Sequence, residues 1–327
     1  METQSNIYII LPVYNAQTYI KHCLDSISEQ TCQNFVCVIV DDGSTDDTND
    51  ICKSYTTREN FILLMQKNSG VYSARNNALN YILEHADKND LLTFIDADDS
   101  ILPNFFETVF KSIEKTGGIS SDTLYFSGYN EVFSEKTVKH IYKSEDFIVS
   151  GDFRKDFESL DPFMHTLWKN FYNIGLIREK KIRFNQKLKR GADILFNLDY
   201  AYFVKNYVFI NDAFYNYYVN QTSLSHNSES NSENSVNIRR QHFEKCVQFL
   251  TDCNIKNKEY LINKYLSDIV FREILTPFYK RIYELREYAN PRFTRNSGQK
   301  RVIFCLKYRC AWIYRLYLKM KHLIKSC

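Results

Sequence analysis

The chain has 327 residues, of which 44% are hydrophobic and 25% are charged, and this balance is typical of a globular protein with one large domain or two smaller ones. The formal net charge of +3 is too small to indicate a nucleic-acid partner. The nine cysteines are odd in number and contain no CxxC pair, which indicates reduced thiols in a cytosolic protein rather than a disulfide framework.

We expect neither a signal peptide nor a membrane-spanning helix. The N-terminal residues are polar and lead directly into an apolar run. No uninterrupted apolar stretch reaches the roughly 18 residues that a spanning helix needs.

The N-terminal third alternates apolar runs with helical segments. Short apolar runs bounded by turn residues are typical of strands that are covered on both faces. Such runs occupy residues 7–11, 35–40, 61–65 and 91–95. Helices are predicted between them, at about residues 18–30, from the cap residues 44–48 to about residue 55, and at about residues 71–85. The βαβαβαβ order predicts an α/β fold with a mostly parallel sheet and helices on both faces.

Polar segments follow three of the predicted strands, at residues 12–15, 41–44 and 96–99. Ligands of parallel sheets bind at the carboxyl ends of the strands, so these segments predict one binding site. The sequence contains neither GxGxxG nor GxxxxGK[ST]. Bound phosphates would therefore be held by a metal ion rather than by a glycine-rich loop.

The segment 96–99 carries three aspartates in four positions. Carboxylate oxygens suit Mg²⁺ or Mn²⁺, and the ion would neutralise the charge of bound phosphates. The same aspartates suit a turn or the cap of the next helix. These residues alone leave both interpretations open.

The polar segments belong to a recognisable series of motifs. The series is IILPVYN at 9–15, VDDGSTD at 40–46, NSG at 68–70 with ARN at 74–76, and FIDADD at 94–99. It resembles the successive motifs of family 2 glycosyltransferases, which have the Rossmann-like GT-A fold. Later segments resemble the acceptor-side half of glycosyltransferases that build bacterial surface polysaccharides. These segments are LWK at 167–169, IRF at 182–184, GADILFN at 191–197 and SLSH at 223–226.

The resemblance implies a UDP-sugar donor held by the loops after the strands. The residues that it assigns to the donor are Pro12, Tyr14, Asn15, Asp41, Asp42, Gly43, Asn68, Gly70, Arg75, Asp96, Ala97 and Asp99. In this assignment Tyr14 packs on the uracil ring, and Asp42, with Asp41 beside it, accepts from the uracil imide. A tight turn is the alternative reading of Asp42 and Gly43.

The remaining donor-side roles concern the ribose, the phosphates and the metal. Asp96 would face the ribose, and Arg75 would meet the base or a phosphate. A solvated helix charge is the alternative for Arg75. The resemblance places Asp98 on a Mn²⁺ or Mg²⁺ ion, shared with waters and the diphosphate, and Asp99 beside the metal or the donor sugar.

An inverting transferase also needs a base for the acceptor hydroxyl. The family commonly places it in a Glu-Asp pair at the start of a helix, and here the pair reads Ala192-Asp193. Asp193 is the expected base, although the missing Glu leaves open how the acceptor is oriented. The alternative is that Asp193 is only a carboxylate at a helix N-terminus, where the helix dipole favours negative charge.

Trp168 is a candidate floor of the acceptor site or a core aromatic. His226 is a candidate contact to the diphosphate or metal, or an exposed loop residue.

The sequence predicts three regions. Residues 1–224 form the GT-A domain, the Ser/Asn-rich residues 225–237 form a loop or linker, and residues 238–327 form a helical region. Residues 300–327 combine eight cations with many aromatic and aliphatic residues and no acid, which suits an anionic membrane surface. The alternative is that this segment packs on the protein and its cations extend outward.

The expected activity follows from the resemblance. The protein would move a hexose or N-acetylhexosamine from a UDP-sugar to a lipid-linked oligosaccharide, such as a polyprenyl-diphosphate acceptor, in O-antigen or capsule synthesis at the cytoplasmic face of the cell membrane. The alternatives are a non-catalytic protein that binds nucleotide sugars or polysaccharide and a metal-dependent nucleotidyltransferase.

Overall fold

The computed structural model describes residues 5–142, 144–188, 191–219, 233–273, 279–308 and 311. The chain divides into two compact units, residues 1–223 and residues 224–327. Cys23, Cys32, Cys37 and Cys52 of the first unit are free thiols.

The first unit begins with the predicted alternation of strands and helices. Its elements are β1 (Ile7–Val13), α1 (Ile20–Ser28), β2 (Phe35–Asp41), α2 (Thr48–Tyr55), β3 (Phe61–Met65), α3 (Val71–His85) and β4 (Leu91–Phe94). All four strands pair in parallel in the order β3-β2-β1-β4. The α/β class and the parallel start of the sheet are confirmed.

The parallel register brings the strand ends to one edge. Val13 pairs with Asp41, and Asp41 pairs with Met65, so β1, β2 and β3 end level with one another. Six of the seven residues of β1 are buried, because helices and neighbouring strands cover both faces of an apolar strand. The polar loops that follow these strands therefore meet at one rim.

The second half of this unit makes the sheet mixed. Its elements are β5 (Ser100–Ile101), α4 (Phe105–Lys115), β6 (Thr123–Val132), β7 (Thr137–His140), β8 (Ile148–Asp152), α5 (Phe153–Leu160), a 3-10 turn (Asp161–Phe163), β9 (Asn170–Asn173), α6 (Ile174–Lys180), α7 (Ala192–Ala201) and β10 (Asn206–Tyr218). The order continues from β4 to β9, β6, β10 and β5, with β7 on β6 and β8 on β10. β9 is antiparallel to both β4 and β6, and it thereby joins the two halves of the sheet.

The second unit is helical. It contains α8 (Glu233–Asp252), α9 (Lys258–Glu273), a 3-10 segment (Tyr279–Tyr288) and α10 (Ser297–Lys307). Because α8 begins at Glu233, residues 233–237 are helical and not part of the predicted linker. In the described ranges no helix is both long enough and apolar enough to cross a bilayer.

The apolar half of α10 belongs to the core of the second unit. Val302, Ile303 and Leu306 are fully buried in a cluster with residues of α8, α9 and the 3-10 segment. Phe304 and Tyr308 lie on the opposite side of the helix and are 50% and 63% exposed. The start of the segment 300–327 therefore packs within its own unit, and its residues from 312 onward lie outside the described ranges.

Candidate functional site

Asp42 connects the loop after β2 to the segment before α3. Its carboxylate is buried and accepts hydrogen bonds from the side chain of Gln66 and from the backbone N–H groups of Ser69 and Gly70, each at 2.8 Å. Because a carboxylate at a helix start stabilises unpaired N–H groups, Asp42 fixes residues 66–70 against the second strand. These three hydrogen bonds show that Asp42 orders a neighbouring segment of the chain and does more than form a tight turn with Gly43.

A glycine is required at position 43 because the loop after β2 lies very close to residues 66–70. Its φ of +77° lies in the left-handed region, and a Cβ at this position would lie 2.9 Å from the backbone nitrogen of Asn68. Only glycine permits this approach without a shift of the backbone. Gly70, also at positive φ, precedes the first turn of α3.

Asp41 and Asn15 order the neighbouring loops. The buried Asp41 carboxylate accepts from the Ser44 backbone N–H and from the side chain of Asn49, both at 2.9 Å. Asn15, at φ +47°, accepts from the Thr45 N–H at 2.9 Å and donates its own N–H to the Ser44 hydroxyl. The loops after β1 and β2 are therefore held together as a unit.

The remaining predicted residues of this rim are less enclosed. Tyr14 is 48% exposed, so a large part of its side chain is accessible to a ligand. Pro12 is half-buried at the end of β1, and Asn68 is exposed. These placements agree with a rim that is open to a ligand.

The four residues of the segment 96–99 differ in their surroundings. Asp96 and Asp98 are half-buried, and Ala97 packs on the core. Burial raises the pKa of the Asp98 carboxyl, and repulsion from Asp96 adds to that effect. No other residue in the described ranges is hydrogen bonded to the Asp98 side chain, which leaves its oxygens for a cation.

Asp99 lies in the core and not at the open rim where the metal or donor sugar was expected. Its carboxylate accepts from the Tyr215 hydroxyl at 2.6 Å and from the Tyr218 backbone N–H at 3.0 Å. Burial raises its pKa to about 8. The Tyr215 hydroxyl in turn accepts from the Asp96 N–H, so one tyrosine of β10 fixes both ends of the acidic segment.

The role of Tyr215 was not predicted from the sequence. Its available signal was the aromatic run 214–218 that follows the acidic segment in the chain by more than a hundred residues.

Arg75 is buried and forms two ion pairs. One terminal nitrogen of its guanidinium lies 2.9 Å from an oxygen of Asp96, and the other lies 2.7 Å from an oxygen of Asp193. Its side chain is only 6% exposed, so the interpretation as a solvated helix charge is wrong. The pair with Asp193 was not predicted from the sequence, because the two residues are 118 positions apart.

Asp193 stands in the first turn of α7. Gly191 precedes the helix at φ +76°, and the Ala192 N–H donates to the Tyr72 hydroxyl of α3 at 3.3 Å, which fixes the helix start beside Arg75. Burial raises the pKa of Asp193, whereas the positive charge of Arg75 opposes the rise. The structure thus joins the predicted base to the acidic segment through a single arginine.

Trp168 is a core residue and not an accessible floor. It is 7% exposed and stacks on Tyr215 and Tyr217 with centroid distances of 4.6 and 5.6 Å, while Tyr129 packs on it edge-on. Its ring supports the tyrosine that holds the acidic segment. His226, the other predicted acceptor or diphosphate contact, lies outside the described residues.

The site fits a divalent cation that is shared with a ligand. Among the described residues no group of three His, Cys, Asp or Glu side chains forms a complete metal site. The half-buried Asp98 supplies carboxylate oxygens on an edge that also carries Asp96. Mg²⁺ and Mn²⁺ commonly take one or two protein carboxylates and complete their shell with phosphates and waters, so these residues fit such an ion.

The chain is similar in sequence to known glycosyltransferases. The sequence model of glycosyl transferase family 2 matches residues 8–194. The glycosyltransferase GlyA of Streptococcus pneumoniae is 30% identical over 237 residues, which cover 69% of this chain and 32% of GlyA. The teichoic acid poly(glycerol phosphate) polymerase of Staphylococcus epidermidis is 29% identical over 217 residues, covering 64% of this chain and 28% of the polymerase. The chain thus spans about a third of the length of these relatives.

A solved structure shows the same fold. S. aureus TarS 1–349 in complex with UDP-GlcNAc superposes with a TM-score of 0.74 and 18% identity, over 95% of this chain and 89% of TarS 1–349.

Proposed function

This chain belongs to glycosyl transferase family 2, and on that basis we propose that it is an inverting enzyme that transfers a hexose or N-acetylhexosamine from a UDP-sugar to a hydroxyl of a lipid-linked oligosaccharide. One observation carries the proposal: Arg75 joins the carboxylate of Asp193 to that of Asp96 at the rim where the donor loops meet. A base and a nucleotide-sugar site are thereby adjacent. The polymer under construction is a bacterial surface polysaccharide such as O-antigen, capsule or a teichoic-acid chain.

The donor is held by the rim built from the loops after β1, β2 and β4. Tyr14 offers an exposed ring for the uracil, and the Asp42 carboxylate shapes the segment that borders it. Asp96 has one oxygen on Arg75 and faces the ribose with the other. TarS binds UDP-GlcNAc on the same fold, so this sugar nucleotide is the first donor to test.

Asp193 supplies the proton acceptor. The acceptor hydroxyl gives its proton to the Asp193 carboxylate while its oxygen bonds to the anomeric carbon, and the bond from that carbon to the UDP oxygen breaks. Attack from the face opposite to UDP inverts the configuration. Burial makes Asp193 a stronger base than an ordinary aspartate, because it raises the pKa of the carboxyl. Asp98 would hold a Mn²⁺ or Mg²⁺ ion, which would supply positive charge for the UDP leaving group.

A peripheral position at the cytoplasmic membrane face fits a lipid-linked acceptor. The outward side of α10 carries Lys300, Arg301, Phe304, Lys307 and Tyr308, all of them exposed. Cations with neighbouring aromatic rings suit the headgroup region of an anionic bilayer.

The test is a donor screen with the purified chain and Mn²⁺. We expect thermal stabilisation by UDP-GlcNAc or another UDP-sugar and, with a polyprenyl-linked saccharide, release of UDP. Stabilisation without UDP release for any acceptor would favour the non-catalytic binding protein. No response to any UDP-sugar would contradict the proposed donor class.

A further inference from the structure

Three aromatic rings surround the guanidinium of Arg75. Its guanidinium carbon lies 5.7 to 5.9 Å from the ring centroids of Tyr72, Phe94 and Phe184, and its Nε is buried without a hydrogen-bond partner among the described residues. The aromatic rings restrict the planar group to one orientation. In that orientation its two outer nitrogens point at two different carboxylates.

The two carboxylates belong to distant parts of the chain. Asp96 lies in the loop after β4, and Asp193 lies at the start of α7. Both are about one-third exposed, at 34% and 31%, whereas the arginine between them is 6% exposed. Each carboxylate is therefore partly accessible to a ligand and is also in contact with Arg75.

We propose that Arg75 is a positioning residue for Asp193, which holds the carboxylate of the base in place and ties it to the Asp96 loop of the donor site. This inference rests on the proposed function. It assigns Arg75 a task on the acceptor side of the reaction, in addition to the contact with the base or a phosphate of the nucleotide that the motif resemblance implies.

A planar guanidinium is suited to this task. It offers several N–H donors in a fixed fork, so it can hold two acids at a constant separation, whereas a lysine ammonium is a point charge on a flexible stem. The distance between donor loop and base is thereby set by one rigid group.

The charge of Arg75 also affects the protonation of Asp193. Among the residues that the structure describes, the charged and titratable groups that face Asp193 are Arg75 and Tyr72 from α3, Asp96 from the loop after β4, and Tyr172 from β9. Arg75 lowers the pKa of Asp193, and Asp96 raises it. Removing the cation leaves burial and the repulsion by Asp96 unopposed, so Asp193 becomes protonated at a higher pH.

The experiment measures turnover against pH at saturating donor for wild type, Arg75→Gln and Arg75→Lys. We expect the acidic limb of the profile to move upward by about one pH unit in Arg75→Gln, the lower end of the shift that an adjacent opposite charge causes. Arg75→Lys retains the charge, so we expect its acidic limb to move from the wild-type position by less than about half of that pH shift. Its turnover should be lower than that of wild type, because a lysine cannot hold both carboxylates. An unmoved limb in a folded Arg75→Gln variant would overturn the inference.

A double-mutant comparison separates positioning from donor binding. If Arg75 acts through Asp193, then adding Arg75→Lys to Asp193→Asn lowers turnover no further than Asp193→Asn alone, within about twofold. Losses that multiply would show that Arg75 acts independently of the base and would overturn the inference. This comparison also decides the question if Arg75→Gln does not fold.

Arg178→Gln is the matched control for Arg75→Gln, because it removes a guanidinium and its charge at a position outside the proposed site. Arg178 donates to the backbone oxygens of Leu83 and Ala86 at the end of α3, and it has no part in the proposed site. We expect its pH profile to equal that of wild type; the same displacement in this variant would overturn the specific role of Arg75. Absence of transfer by the wild-type chain would instead refute the proposed function.

Discussion

Gly43→Ala tests whether the close approach of the loops after β2 and β3 forms the donor rim. At φ +77° any side chain is strained, and the new Cβ would meet the Asn68 nitrogen at 2.9 Å and the Gln66 oxygen at 3.2 Å. Both atoms belong to the backbone, so neither can swing away. The segment 66–70 must shift, although three hydrogen bonds to Asp42 hold it.

Gly118→Ala is the matched control for backbone strain. Gly118 has a φ of +90°, and nothing lies within 4 Å of a Cβ placed there. The strained backbone costs about 1–3 kcal/mol in either variant. The clash at Gly43 adds about 1–3 kcal/mol, the usual cost of overpacking.

Urea denaturation and titration with UDP measure the two consequences. We expect Gly43→Ala to lose about 1–3 kcal/mol more unfolding free energy than Gly118→Ala, and to bind UDP more weakly, whereas Gly118→Ala binds UDP as wild type does. Equal stability losses with unchanged UDP binding in both variants would refute the argument that this approach builds the rim.

Three further predictions concern the metal, a buried cation and the membrane. Asp98→Ala should abolish metal-dependent transfer without unfolding the protein, and full activity in this variant or in EDTA would refute the metal role. Burial lowers the pKa of Lys169 to about 7. The unfolding free energy of wild type should therefore rise relative to that of Lys169→Met between about pH 7 and about pH 10, by up to about 1.4 kcal/mol per pH unit. Parallel curves of unfolding free energy against pH for the two proteins would contradict this. Replacing Lys300, Arg301 and Lys307 with Glu should weaken co-sedimentation with anionic vesicles, since each cation near the membrane surface contributes about 1 kcal/mol. Unchanged vesicle binding by a folded variant would show that this side of α10 is not the membrane-binding surface.

Local patterns in the sequence predicted the first four strands of the first unit, residues 1–223, and the helices between them. Helix α3 occupies 71–85 as predicted, and β1 to β4 lie where the apolar runs indicated. These elements depend on periodicity and on nearby turn residues, which a single sequence displays. The rim of polar loops follows directly, because parallel strands end at one edge.

Contacts between distant residues could not be predicted in the same way. The burial of Asp99 depends on a tyrosine 116 positions later, and the pairing of Arg75 with Asp193 depends on where α7 packs. Trp168 suited both the acceptor site and the core until its neighbours on β10 were known. The Ser/Asn-rich composition before α8 indicated a loop, but polar residues also begin helices.

The most direct test of the proposed activity compares wild type with Asp193→Asn. Both would be assayed for transfer at saturating UDP-sugar, with thermal stabilisation by the same donor as the control for binding. We expect turnover to fall by about 10²-fold or more, the scale of a lost general base, while donor binding persists. Turnover near that of wild type would contradict the assignment of Asp193 as the base.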